Sequence, residues 1–341
     1  MLILARPTSE IAAQLGPLPS DYERTTILSR GNRSMGNHHR VETDKYANLI
    51  TTRTRNSELW FVNNAPLEQA ILGNVAKYGE RHNVCLYALA IEGNHTHLVA
   101  QFADTTRARF MQDLNSNITR AVKRHVATYP GGSLHARRYS NEFLPDSEDT
   151  ENWFFYTVLQ PVKDGLVERI GDYPGYNCFH DAVWGIKRTY KLVDWAAYNE
   201  ARRWHKHIGI KHFIVTYTLE YARLPGYGHL TQREYALLMH ERLEERCQAI
   251  VAARRAEGKG FVGREALRKV TPGSRPRNTK TSTRNSHRPR VLSVCPTRRR
   301  ATLDWYFTIY YEYKKASLSY RQGKRNTKFP PGTYKPYVPA H

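Results

Sequence analysis

Residues 84–102 read VCLYALAIEGNHTHLVAQF. The first part, Val84 to Ile91, is apolar on both faces and short, the pattern of a buried strand. Glu92-Gly93-Asn94 has turn chemistry. His95 to Phe102 then resumes as a strand, so the stretch predicts a β-hairpin. Upstream, NLITTRTR (48–55) is β-branched and partly alternating, which predicts a first strand. Pro66 suits a first helical turn, and Leu67, Ile71, Val75 and Tyr78 follow on one helical face. Downstream, a second helix is predicted from about Arg107 to Ala127, a fourth strand within RRYSNEFLP (137–145), and a third helix over Glu151 to Gln160. The order β-α-β-β-α-β-α predicts an α+β fold, a ferredoxin-like antiparallel sheet with helices on one face.

The flanks differ in character. Residues 1–45 are polar with little periodicity and read as an arm. The predicted catalytic domain spans 46–185, followed by a helical extension over 186–263. In that extension Thr231 and Glu234 form a capping box, and Tyr235, Leu238, Met239, Leu243, Cys247 and Ile250 make a helical stripe ending near Gly258. Residues 264–300 are basic and expected to be disordered, a nucleic-acid-binding arm or else a flexible linker. From Arg268 to Arg300 there is no acidic residue, a composition that cannot fold alone. An aromatic helix and tail fill 301–341.

The 341 residues carry a net charge of +21 and a pI of about 9.9. That excess of cations points to a polyanionic partner, nucleic acid before a membrane surface. No apolar run reaches transmembrane length, and MLILARPTSE is too short an apolar start for a signal peptide, so the expected location is cytoplasmic. The four cysteines form no C-x-x-C pair and read as thiols, with Cys85 and Cys247 expected in core positions.

Side chains alternate along a strand, so His95 and His97 point the same way and Thr96 the other. Two imidazoles on one strand face can hold a divalent cation. Among fifteen histidines one such pair also arises by chance, and His205-Lys206-His207 is a second copy. The second copy lies among Arg202, Arg203 and Lys211, where a cation is repelled, and reads as solvated surface. Tyr156 and Gln160, four apart, share a helical face. The phenol is a possible nucleophile and the amide oxygen a hard metal ligand. The same helix also reads as an aromatic core stripe with Trp153 and Phe155. Pro161 biases Gln160 away from α geometry, which predicts a kink or an end there.

IEGNHTHLVAQF resembles the N-H-x-H-L-hydrophobic segment of single-tyrosine HUH transposases. FFYTVLQPVKDGLV resembles their catalytic helix in the REP-associated branch, through Tyr156, Gln160, Pro161, Val162, Lys163 and Gly165. TTRTRNSELWF, NITRAVKRH and RRYSNEF are similar to further segments, and FPPGTYKPY to the close of a long-form subgroup. Two positions depart from that pattern: Thr96 replaces a larger hydrophobic, and His135 within LHARRY replaces a Trp. The resemblance implies an HUH endonuclease core. Its catalytic residue would be Tyr156, forming a 5′-phosphotyrosine, and its metal ligands His95, His97 and Gln160, holding Mg²⁺ or Mn²⁺. Single-stranded or hairpin DNA would be the partner, with the protein a monomer or homodimer and no membrane involved.

For DNA binding the candidates are Arg120, Lys123 and Arg124, a stripe at i, i+3 and i+4, and Arg298, Arg299 and Arg300 before Trp305, Tyr306 and Tyr310. The stripe reads equally as a solvated face, and the aromatic helix equally as core. The alternative function is a non-catalytic, domesticated binder of hairpin DNA or of RNA. The intact set of Tyr156, His95, His97 and Gln160 argues against it.

Overall fold

The computed structural model describes residues 40–276 and 290–338. Its centre is a four-stranded sheet of β1 (Ala47–Arg53), β2 (Val84–Glu92), β3 (His95–Phe102) and β4 (Ser140–Leu144). The strand order is β2-β3-β1-β4, with every pairing antiparallel. Helix α1 (Ala65–Arg81) joins β1 to β2, and α2 (Arg107–His125) joins β3 to β4. In α1, Asn64 caps the amino terminus, Pro66 occupies the first turn, and Leu67, Ile71, Val75 and Tyr78 are all buried. This is the α+β, ferredoxin-like order that the hairpin and its flanks predict.

The two faces of the sheet can be assigned from β3. Phe102 touches Phe110 of α2, with ring centroids 5.5 Å apart. Residues an even number of positions from Phe102 share its face, so α2 lies on the Thr96 side. Helix α1 lies there too, because Asn117 donates to Tyr78 Oη and His82 bonds Asp113 of α2. The opposite face carries His95 and His97. It is covered by α3 (Ser147–Val158), which follows β4. Asp146 caps α3 by accepting from Asp149 N–H. The helix breaks at Leu159 (φ −90°, ψ 1°) and one short turn, α4 (Gln160–Lys163), continues. Pro161 at the start of α4 accounts for that break, as its ring removes a backbone donor; the irregular residue is Leu159, while Gln160 opens α4 in place of the expected departure from α geometry.

After α5 (Phe179–Trp184), the stretch 186–263 departs from the helical reading. It opens on a two-stranded antiparallel sheet, β5 (Arg188–Val193) and β6 (Ile214–Leu219), with α6 (Trp195–Trp204) between. The hairpin rests on α1 at Gly73, where a Cβ would stand 2.9 Å from Leu192 Cδ2. Helix α7 (Gln232–Ala256) begins with the Thr231–Glu234 capping box and buries Tyr235, Met239, Leu243 and Cys247. Those side chains belong to the same hydrophobic core as the sheet. Cys85, by contrast, is exposed: it sits one residue inside the start of β2, before the burial of that strand begins at Leu86.

The basic stretch is ordered wherever it is described. Helix α8 (Arg264–Arg268) is followed by Ser274, whose carbonyl accepts from Leu59 N–H, and by Arg275, paired with Glu58. Residues 277–289 lie outside the described residues. Arg290 and Leu292 then exchange backbone bonds with Phe143, so Val291 pairs in parallel beside β4 and covers that edge. Helix α9 (Pro296–Arg321) follows. Its Trp305 and Tyr306 pack with Val41, Tyr46, Phe143 and Val291 in a second cluster. The sheet edge supplies the apolar surface that the composition of the segment lacks.

Candidate active site

His95 and His97 emerge from β3, a central strand, and are 3% and 5% exposed. Their ring centroids lie 4.8 Å apart. The neighbouring strands set both rings. Thr51, the cross-strand partner of His97 on β1, places its Oγ1 3.0 Å from His97 Nδ1. Asn94 donates through Nδ2 to Ser57 O, which turns its Oδ1 toward His95 Nδ1 at 2.7 Å. An amide oxygen only accepts, so His95 carries its proton on Nδ1 when neutral and offers the Nε2 lone pair to the site.

Helix α3 brings Tyr156 to this pair. Its half-buried ring meets His97 edge-on, centroids 5.9 Å apart, and packs against Trp153 at 4.5 Å. Phe154 and Phe155 are fully buried core, while half-buried Tyr156 faces the imidazoles. Lys163 Nζ stands 4.3 Å from the Tyr156 ring centre. Gln160 is 7% exposed; its Nε2 donates to Asp164 Oδ1 at 3.3 Å. Its Oε1 is buried with no hydrogen-bond partner among the described residues. Tyr156, His95, His97 and Gln160 thus come from three separate segments to one end of one sheet face.

Two carboxylates not anticipated from sequence join them. Glu92 is the cross-strand partner of His95, and its Oε2 lies 3.5 Å from His95 Nε2. Asp164, just past α4, completes a group in which ligand atoms of Glu92, His95 and Asp164 all fall within 4.8 Å of one another. Burial, and then the Asp164 carboxylate, push the Glu92 carboxyl up to about 8, with Arg53 opposing. The sequence signal was present but unassigned: Glu92 precedes the turn into the two histidines, and only strand register puts it on their face.

The donor set suits a divalent cation. Neighbouring ligands held at about 2.1 Å around an octahedral ion lie roughly 3 Å apart, so the group needs a contraction of up to about 2 Å to close. A buried amide oxygen and a buried carboxylate oxygen, Gln160 Oε1 and Glu92 Oε1, both without a donor among the described residues, are what such an ion would satisfy.

The other candidates lie elsewhere. His205 and His207 are exposed beyond the end of α6. Arg120, Lys123 and Arg124 are exposed on α2, across the sheet from Tyr156, and the Arg124 guanidinium stacks 3.9 Å over Trp195. Arg298 is engaged by Asp146, Glu148 and Asp149 at the amino end of α3. Arg299 is half-buried, and exposed Arg300 pairs with Asp304. Trp305 and Tyr306 are packed in the second cluster, whereas Tyr311 is exposed.

No family model matches this chain, and no curated protein matches it in sequence. Among solved structures it is similar to a REP-associated tyrosine transposase bound to a REP hairpin. The two are 16% identical, with 45% of this chain and 84% of that one covered and a TM-score of 0.35. No helix among the described residues is long and apolar enough to cross a membrane.

Proposed function

We propose that this chain cleaves and rejoins single-stranded DNA at hairpin-forming sequences, with Tyr156 as nucleophile and Mg²⁺ or Mn²⁺ as cofactor. The observation that carries the reading is the Tyr156 ring seated against His97, on the face shared with His95, one helical turn before the Gln160 amide. A tyrosine in an ordinary core stripe has no reason to meet a pair of buried histidines.

His95, His97 and Gln160 would hold the ion, which when bound neutralises charge on the scissile phosphate. Tyr156 Oη then forms the new bond to phosphorus while the bond to the 3′ oxygen breaks. The 3′ oxygen leaves with the electron pair and takes up a proton, and the phenolic proton passes to solvent. One phosphodiester replaces another, so a second 3′-OH can reverse the step without an external energy source. The Lys163 ammonium, beside the phenol ring, is placed to favour the developing phenolate. Exposed Arg300 and the Arg120, Lys123 and Arg124 stripe are candidates for phosphates of the hairpin stem, since the stripe faces away from the cut strand.

The test uses a pool of end-labelled single-stranded hairpins with Mn²⁺. An SDS-stable adduct on the 5′ phosphate of the fragment lying 3′ of the cut is expected for the native chain and none for Tyr156→Phe, which removes one oxygen. An adduct of equal yield in Tyr156→Phe, through Tyr139 or Tyr173, overturns the assignment.

A further inference from the structure

We infer that Glu92 and Asp164 are themselves metal ligands, so that this site binds a divalent cation as a carboxylate centre, with no DNA present. The inference deepens the reading above, and of that reading it uses only the ion position.

Three independent features converge. Glu92 closes β2 opposite His95, so register alone puts its carboxylate and the imidazole on one face. Its side chain is 4% exposed, and its Oε2 lies 3.5 Å from His95 Nε2. Asp164 arrives from the other side, from the turn after α4, and ligand atoms of the three residues lie within 4.8 Å of one another. Gln160 supplies the third feature. Its Nε2 is tied to Asp164 Oδ1, which fixes the orientation of the amide, and its more than nine-tenths buried Oε1 has no donor among the described residues.

Two imidazoles and an amide are neutral donors, and an ion on them keeps its whole double charge until a phosphate arrives. With the ion bound, the two acids as carboxylates supply two negative charges, enough to balance it before any DNA arrives. They also add hard oxygen donors, which favour Mg²⁺ and Mn²⁺ over softer ions. A buried Glu92 carboxylate beside exposed Asp164, with no cation between them, meets both like-charge repulsion and a desolvation cost. The fold accepts that arrangement where an ion compensates it.

The experiment is a Mn²⁺ titration of the full chain, stripped of metal and free of DNA, with unbound Mn²⁺ read by electron paramagnetic resonance. One ion per chain is expected. Asp164→Asn and Glu92→Gln should each raise the Kd at least tenfold, as His95→Ala does. Asp164 is exposed, so its substitution leaves the core intact, and circular dichroism checks the fold of the Glu92 variant. Absence of Mn²⁺ binding by the native chain, or a Kd within twofold of native in Asp164→Asn, overturns the inference. The two readings separate cleanly. A chain that binds Mn²⁺ through Glu92 and Asp164 but forms no DNA adduct sinks the nuclease and keeps this centre. A chain that forms the adduct while both acid variants bind Mn²⁺ normally does the reverse.

Discussion

Asp149 lies in the first turn of α3, fully buried, where the C-terminal segment meets the helix that carries Tyr156. Its Oδ1 accepts from Val294 N–H, and Arg298 stands 3.6 Å from its Oδ2. An intuitive expectation is that removing this charge breaks an ion pair and weakens the fold. The structure argues the opposite. Burial, with a smaller push from Asp146, raises the Asp149 carboxyl from its ordinary 3.8 to about 6, against the hydrogen bonds from Ser293 and Val294. At 1.36 kcal/mol per pH unit that is at most about 3 kcal/mol against the ionised form. Halving it for relaxation and water access leaves about 1.5 kcal/mol. A raised carboxyl pKa means that stability falls as pH rises from the unfolded value through about 6. Asp149→Asn keeps the acceptor for Val294 and removes the charge. It should therefore stabilise the protein at pH 7.5 by about 1–2 kcal/mol, or roughly 1.5–3 °C in Tm for a chain of this length, and have almost no effect at pH 4. Thermal melts at both pH values decide it. A lower Tm for Asp149→Asn at pH 7.5 would show that the Arg298 pairing outweighs desolvation and that the reasoning is wrong.

Four further outcomes are expected. Arg298→Ala should lower Tm at pH 7.5 and do so less at pH 5, where Asp149 is protonated; an equal loss at both pH values would mean that Asp146 and Glu148, and not Asp149, carry the pairing. His205→Ala combined with His207→Ala should leave Mn²⁺-dependent adduct formation within twofold of native, whereas His95→Ala abolishes it, because only the second lies beside Tyr156. Gly165, with φ +73°, would place a Cβ 1.9 Å from Arg254 Nη2; Gly165→Ala should cost about 1–2 kcal/mol in a denaturant melt from the left-handed backbone alone, and a neutral result would mean the turn after α4 is not held in that geometry. Deleting 277–289, which removes Arg277, Lys280, Arg284 and Arg288, should flatten the salt dependence of hairpin binding by up to about 3 in log K against log salt, at about 0.7 per phosphate contact. An unchanged slope would assign DNA contact to the described body of the chain instead.

That deletion is narrower than the basic composition alone would suggest, and the reason shows what a sequence can and cannot reveal here. The absence of acids from Arg268 to Arg300 speaks only to what the segment can bury by itself. It carries no information about a partner surface. Phe143 supplies two backbone bonds to Arg290 and Leu292, and the acids around α3 hold Arg298. Removing all of 268–300 would strip an edge from the sheet and unclasp the helix bearing Tyr156. Cys85 and the β5–β6 hairpin escaped for a related reason. The strands of that hairpin pair across an intervening helix, and their support is the gap at Gly73 on α1.

Local periodicity performs well where one element decides the outcome. The strand His95–Phe102, the buried stripe of α1, the Thr231–Glu234 capping box and the break before Pro161 all follow from residues within a few positions of one another. Tyr156 and Gln160 are also close in sequence, but the break at Leu159 puts them on two helical pieces, α3 and α4, which spacing alone does not specify. Nor does spacing specify which sheet face a helix covers. The stripe of Arg120, Lys123 and Arg124 is a genuine stripe, but α2 lies on the Phe102 side of β3 and the histidines lie on the other. Register has the same non-local character. Glu92 reads as the first residue of a turn until pairing across the hairpin makes it the neighbour of His95, and Asp164 reads as a loop acid until Gln160 ties it to the same place. The residues that set the charge of the site are thus the ones that only three-dimensional pairing identifies. For that reason a Mn²⁺ titration of Asp164→Asn probes the centre more sharply than any further substitution at the two histidines, whose loss would disable a two-histidine site and a carboxylate site alike.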